Sequence, residues 1–155
     1  MNWNTAALKL EEIARSVTWV DDDGTSRKIE ALDFVPDDLP NTGLYVGEID
    51  VDVNQTFNKI NPATGHRIGT DAATITLRLL VARETDRHAI RKMRAFMNGS
   101  GDASLIEALQ KTNAQPTTYP WSGIKVVSCR GNRLFTVGES KFYGTEIEIY
   151  VTGAA

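Results

Sequence analysis

The sequence predicts an α+β single domain: a mostly antiparallel, mixed β-sheet with a long β-hairpin arm and two to three helices packed on the sheet. Three observations predict it. Apolar residues recur at helical spacing in only three short segments, Leu8 to Val17, Ala89 to Met97 and Leu105 to Leu109. Two neighbouring segments, 44–57 and 71–83, instead alternate in the two-residue period of a strand. The resulting order, α-β-ββ-αα-βββ, groups helices and strands in blocks, as layered α+β folds do. A chain of 155 residues suffices for one core, and two full-sized domains do not fit.

In the first helix apolar residues recur from Leu8 at Leu10, Ile13, Ala14 and Val17, a helical spacing that follows Asn4 or Thr5 as cap. Asp21-Asp22-Asp23-Gly24 is a turn, Arg27 to Leu32 reads as a strand, and Pro36, Pro40 and Gly43 mark a loop. From Leu44 to Phe57, Tyr45, Gly47, Ile49, Val51 and Val53 alternate with Leu44, Val46, Glu48, Asp50 and Asp52. From Asp71 to Arg83, Ala73, Ile75, Leu77, Leu79 and Val81 share one face. Asn61-Pro62-Ala63-Thr64-Gly65 supplies turn formers between them, so the two strands form a hairpin. Residues 44–57, extended at ~3.3 Å each, span about 46 Å, whereas a domain of this size is about 40 Å across. The hairpin of about 44–83 is therefore expected to project from the body.

Thr85 or Asp86 caps a second helix carrying Ala89, Ile90, Met93, Phe96 and Met97, which Gly99 ends. Ser100-Gly101-Asp102 caps a third, with Leu105, Ile106 and Leu109 on its apolar face. After a loop from Asn113 to Trp121, three strands are expected: Ile124 to Arg130, Leu134 to Val137 and Phe142 to Val151, with a turn at Gly131-Asn132-Arg133.

The composition, 41% hydrophobic and 24% charged with 5 prolines, excludes disordered and fibrous classes. A net charge of −3 provides no global field for nucleic acid or an anionic membrane. One cysteine excludes an intramolecular disulfide framework and points to a reducing compartment. No window approaches a membrane span and no secretion signal is recognisable, so a soluble protein without membrane partners is expected.

Signatures of catalysis and cofactor binding are missing, so no enzyme, no cofactor and no metal site are expected. No Gly-x-Ser-x-Gly elbow is present. Cys129 lies in an apolar run and reads as a core residue. His66 and His88 lack metal-ligand spacing, and the acidic turn at Asp21 lacks the alternate acids of a calcium loop. Gly99-Ser100-Gly101 lacks the lysine of a phosphate loop. A small cytosolic enzyme would require loops that bring His88, Asp86 or Glu84 to a cleft.

Charge layout is more informative. Glu48, Asp50 and Asp52 share the polar face of the first hairpin strand, while Lys59, His66 and Arg67 make its far end basic. A neighbouring copy could offer the complementary patch in a heterologous contact, which closes into a ring or continues as a filament. The alternative is a loop with solvated charges. Arg83, Arg87, Arg91 and Arg94 form a stripe on the second helix, opposite Ile90, Met93 and Met97. That stripe fits a solvated face, an acidic partner subunit or the phosphates of passing DNA.

The segments Leu44-Tyr45-Val46-Gly47-Glu48-Ile49-Asp50-Val51-Asp52-Val53 and Gly69-Thr70-Asp71-Ala72-Ala73-Thr74, the latter leading into Leu77 to Arg83, resemble tail terminator proteins of long-tailed actinobacterial phages. So do Met97-Asn98-Gly99-Ser100-Gly101-Asp102-Ala103-Ser104 and Tyr143-Gly144-Thr145-Glu146. The resemblance runs from Leu8 to Val151. It implies a structural virion subunit of the tail and neck, assembled in the host cytoplasm as a hexameric ring on the last ring of the tail tube. Its partners would be further copies of itself, the tail tube protein, a head-closure or neck protein, and DNA that passes through the lumen without sequence-specific binding. Another neck component, such as a head-closure or connector protein, is the alternative.

Overall fold

The computed structural model describes residues 1–20, 23–32, 43–52, 60–66, 69–82, 86–115 and 117–154, the side chains of 82, 86–88, 132 and 154 excepted. Among these residues the elements are α1 (Trp3–Ser16), β1 (Thr18–Val20), β2 (Ser26–Lys28), β3 (Glu30–Leu32), β4 (Gly43–Val51), β5 (Thr70–Ala82), α2 (Asp86–Met97), α3 (Leu105–Lys111), a 3₁₀ turn (Thr112–Ala114), β6 (Gly123–Val137) and β7 (Ser140–Ala154). β1 and β2 form a separate antiparallel ribbon. The other strands make one mixed sheet in the order β3-β4-β5-β7-β6, in which the β3–β4 pair alone is parallel. The expected α+β architecture is present, with the helices packed on the sheet.

One core joins the helices to one sheet face. Ala73, Ile75, Leu77, Leu79 and Val81 of β5 and Ile147, Ile149 and Val151 of β7 meet Leu10 and Ile13 of α1, Met93 and Phe96 of α2, and Leu105 and Leu109 of α3. The helical apolar stripes thus do what their spacing requires. Caps differ from expectation: Asn2, not Asn4 or Thr5, accepts the Thr5 amide at the start of α1. Ser104, not Ser100 or Asp102, caps α3 by accepting the Glu107 amide. The positive φ after α2 falls at Gly101 and not at Gly99. The α-ammonium of Met1 pairs with the buried Asp71 carboxylate at the start of β5.

Bulges account for the largest differences from the sequence pattern. On β4 one extra residue between Val46 and Ile49 shifts the register against β5. Leu44 and Val46 lie opposite Leu79 and Leu77, and Ile49 and Val51 lie opposite Ile75 and Ala73. All four therefore face the core, although strict alternation puts Leu44 and Val46 on the opposite face from Ile49 and Val51. A bulge resets the two-residue period. Gly47 sits within it, where an added Cβ would lie 3.1 Å from the Thr76 carbonyl oxygen. The expected turn at Gly131-Asn132-Arg133 is likewise a register shift, between Arg130 and Arg133, inside a single strand β6. Two terminal strands replace the expected three, joined at Gly138 (φ 60°).

The hairpin exists as the β4–β5 pair, but its strands do not leave the body. Every residue of β5 from Thr70 to Ala82 pairs with β7, so β5 lies in the middle of the sheet. The reason is length: β6 and β7 have 15 residues each, about 50 Å at ~3.3 Å per residue. The sheet is itself as long as the hairpin. Residues 53–59, 67 and 68 of the connection between the two strands lie outside the described residues.

Candidate assembly surfaces

The connection closes where the turn formers predict. The Asn61 amide donates to the His66 carbonyl (2.8 Å), the Gly65 amide to the Asn61 carbonyl (2.8 Å) and the Ala63 amide to Asn61 Oδ1 (2.9 Å). Gly65 has φ +69°, which favours glycine. His66 is exposed at this turn, beside exposed Ile60. Lys59 and Arg67 lie outside the described residues, so the expected basic cluster is represented by His66.

The acidic trio splits. Glu48 is exposed on the β4 bulge and accepts from Arg78 Nη2 of β5 at 3.1 Å. Its own backbone amide first, and then Arg78, hold its carboxyl below the usual glutamate range. Arg78 spans the strands, with its Nε 3.7 Å from Glu146 of β7 and its guanidinium over the Tyr45 ring. Burial works against its charge, but Tyr45, Glu48 and Glu146 together hold its pKa above the ordinary value. On the next two strands Arg130 and Ser128 of β6 donate to Glu148 of β7 at 3.1 and 3.0 Å. The sheet face away from the helices thus carries a cross-strand charge ladder, a source of pairing energy and register.

Glu48, expected at a subunit interface, is consequently engaged inside its own sheet. Asp50, one row further on, is exposed. Asp52 is half-buried, and its amide donates to the Ala72 carbonyl at 2.9 Å. Arg78 and Glu146 lack any local sequence signal as a pair, being 68 positions apart in the chain; only the alternation of each strand put them on polar faces.

At one end of the same face the ladder gives way to an apolar cluster of Tyr45, Leu80, Val137 and Phe142, with Leu32 and Phe135 against it. Gly144 permits this packing. A Cβ there would lie 2.6 Å from Leu80 Cδ2 and would also meet the Phe135 ring.

The arginine stripe is present in part. Arg91 and Arg94 are exposed on α2, opposite the buried Ala89, Met93 and Phe96. Arg87 lies on the same helix at the spacing that continues their face, and Arg83 lies outside the described residues. Cys129 packs against the core on β6, and burial raises its thiol pKa above the usual range.

A cleft of about 470 Å³ opens between α1, the 101–104 turn and α3. Several of its polar groups are committed to local structure. Glu107 accepts from Lys111 (2.8 Å) and from the Gly101 amide (2.6 Å), and Ser104 caps α3. Asp86 and His88 lie on the first turn of α2, and Glu84 lies outside the described residues. Among the described residues no group of three or more His, Cys, Asp or Glu is placed to hold a metal ion, and no helix is long and apolar enough to cross a membrane.

The chain matches no protein-family model and shows no significant similarity to a curated protein.

Proposed function

We propose that this chain is a structural virion protein that forms a ring on the end of a phage tail tube, stops tube growth and offers a joining surface to the head or neck. One observation carries the reading. The segments that resemble tail terminators, dispersed over the sequence, are neighbours in space: 44–51 on β4, 70–82 on β5 and 143–146 on β7 are consecutive strands of one sheet, and 98–104 connects α2 to α3 above it. A resemblance distributed over an assembled unit has more weight than one confined to a single element.

In this reading termination is steric: one ring face matches the tube, and the other cannot recruit another tube subunit. Six copies surround a channel through which DNA passes. Arg91 and Arg94, with Arg87, supply a cationic helix face for an acidic subunit or for phosphates, which arginines meet without base recognition. The protein would reside in the tail or neck of the virion after assembly in the host cytoplasm, and no catalytic step is assigned to it.

Particles assembled without this protein test the reading. Overlong tails are the expected outcome. Tails of normal length that fail to join heads would make it a head-closure or connector protein instead. Light scattering of the chain with tube protein gives a second measurement, and a strict monomer both alone and with tube would overturn the ring.

A further inference from the structure

We infer that the two edges of the five-stranded sheet, β6 and the distal half of β4, are complementary, and that each copy of this chain recruits a second copy by setting its β6 edge against the partner's β4 edge. The inference deepens the ring reading and rests on it in taking the partner to be a second copy.

Charge distribution is the first support. Residues 43–52, on and just beyond β4, include three acids, Glu48, Asp50 and Asp52, and no base. Residues 123–137, which form β6, include three bases, Lys125, Arg130 and Arg133, and no acid. One edge of the sheet is acidic and the other basic; Glu48 and Arg130 are each also paired inside the sheet, so the contact rests on Asp50 and Lys125. A symmetric β6-to-β6 contact would oppose like charges and is disfavoured, whereas β6-to-β4 pairs opposite ones.

Register is the second support. Asp50 pairs with Thr74, Thr74 with Tyr150, and Tyr150 with Lys125. Asp50 and Lys125 are therefore the two ends of a single transverse row, and both are exposed. Three antiparallel steps separate β4 from β6, so these strands run in opposite directions. A rotation about an axis along the strands preserves direction. It would bring β6 beside the next copy's β4 as an antiparallel pair and place Lys125 opposite Asp50, where facing Cβ atoms are about 5 Å apart.

Backbone availability is the third. β3 covers β4 from Gly43 to Tyr45 only, and beyond that the outer edge of β4 has no strand partner among the described residues. On β6, Asn113 occupies both backbone groups of Ile124, at 3.0 and 2.8 Å, and no strand flanks the remainder among the described residues. Val127, the extra residue of the β6 bulge, is 55% exposed and adds an apolar contact at the same place. A long open edge is a template for pairing with another chain.

Disulfide trapping tests the contact. Asp50→Cys with Lys125→Cys, in a Cys129→Ser background, should give a ladder of dimers, trimers and higher oligomers on oxidation at high concentration, because every chain carries both edges. Each single-cysteine variant should stay monomeric. No ladder, or a dimer from Lys125→Cys alone, would overturn the proposal. In a second measurement, Asp50→Lys and Lys125→Asp should each abolish self-association in sedimentation while leaving the melting temperature unchanged, and the double variant should restore it; failure of that restoration also overturns the contact. The two readings fail separately. Loss of the ladder in a chain that still limits tail length removes only the edge contact, and a ladder in a chain whose absence leaves tails normal removes only tail termination.

Discussion

Gly144 is a residue whose lack of a side chain is a packing requirement. Leu80 and Phe135 lie over its Cα from neighbouring strands. Gly144→Ala should destabilise the fold by roughly 1–3 kcal/mol, the cost of overpacking a closed site, read as a lower urea midpoint at unchanged slope. Thr112 carries a different burden. Its Oγ1 accepts from Trp121 Nε1 at 3.0 Å and donates to the Leu109 carbonyl at 2.7 Å, with both side chains buried. Thr112→Val keeps the volume but orphans the indole N–H, for an expected loss of about 1–3 kcal/mol. Thr112→Ser should recover most of it in the same denaturation experiment.

Among the elements, α3 depends on its termini because it has only 7 residues and short helices are marginal on propensity alone. Ser104 caps it, and Glu107 links it to Gly101 and to Lys111. The hydrogen bond from Lys111 first, and then the one from the Gly101 amide, lower the Glu107 pKa below its ordinary value of 4.5. A carboxyl depressed in the folded state contributes stability above its unfolded pKa, and that contribution disappears as pH falls through its folded pKa. Lys111 is raised by the same pair, so its contribution is lost at the alkaline end, as pH rises through its folded pKa. Glu107→Gln should therefore lower the melting temperature slightly at neutral pH and converge with the parent below pH 4.5. Curves that stay parallel through the acid range would exclude this linkage.

For the whole molecule, the sheet is polarised in two directions. One face packs the helices and the other carries the Glu48–Arg78–Glu146 and Arg130–Glu148 ladder. One edge is acidic and the other basic. Heterologous association is the geometry such asymmetry favours, and it closes into a ring where the rotation permits. The basic residues of the hairpin connection are proposed as a separate contact. Replacing Lys59 and Arg67 with Glu should weaken assembly measured by light scattering while leaving thermal stability unchanged. Unaltered assembly would remove the connection from the interface.

Residues of short sequence separation determined much of this protein. The apolar stripes of α1, α2 and α3, the Asn61–Gly65 turn, the inward face of β5 and the core placement of Cys129 each follow from periods of 3.6 or 2 and from turn chemistry, which are local. The caps missed by a few positions, because several polar residues compete near each helix start and packing selects among them. The bulges at Gly47 and Val127 were illegible, since an extra residue is defined only against the strand that opposes it. Lys125 gave no signal inside an apolar run, and Glu48 looked free until Arg78 came alongside it. The sequence by itself thus determined the buried faces of the helices and of β5, except for Leu8, which is 49% exposed, whereas on β4 the bulge overrode the alternation. The tertiary structure alone decided that the hairpin is built into a sheet of its own length, and that Asp50 and Lys125 end one row, because strand order and register are set by contacts between distant segments.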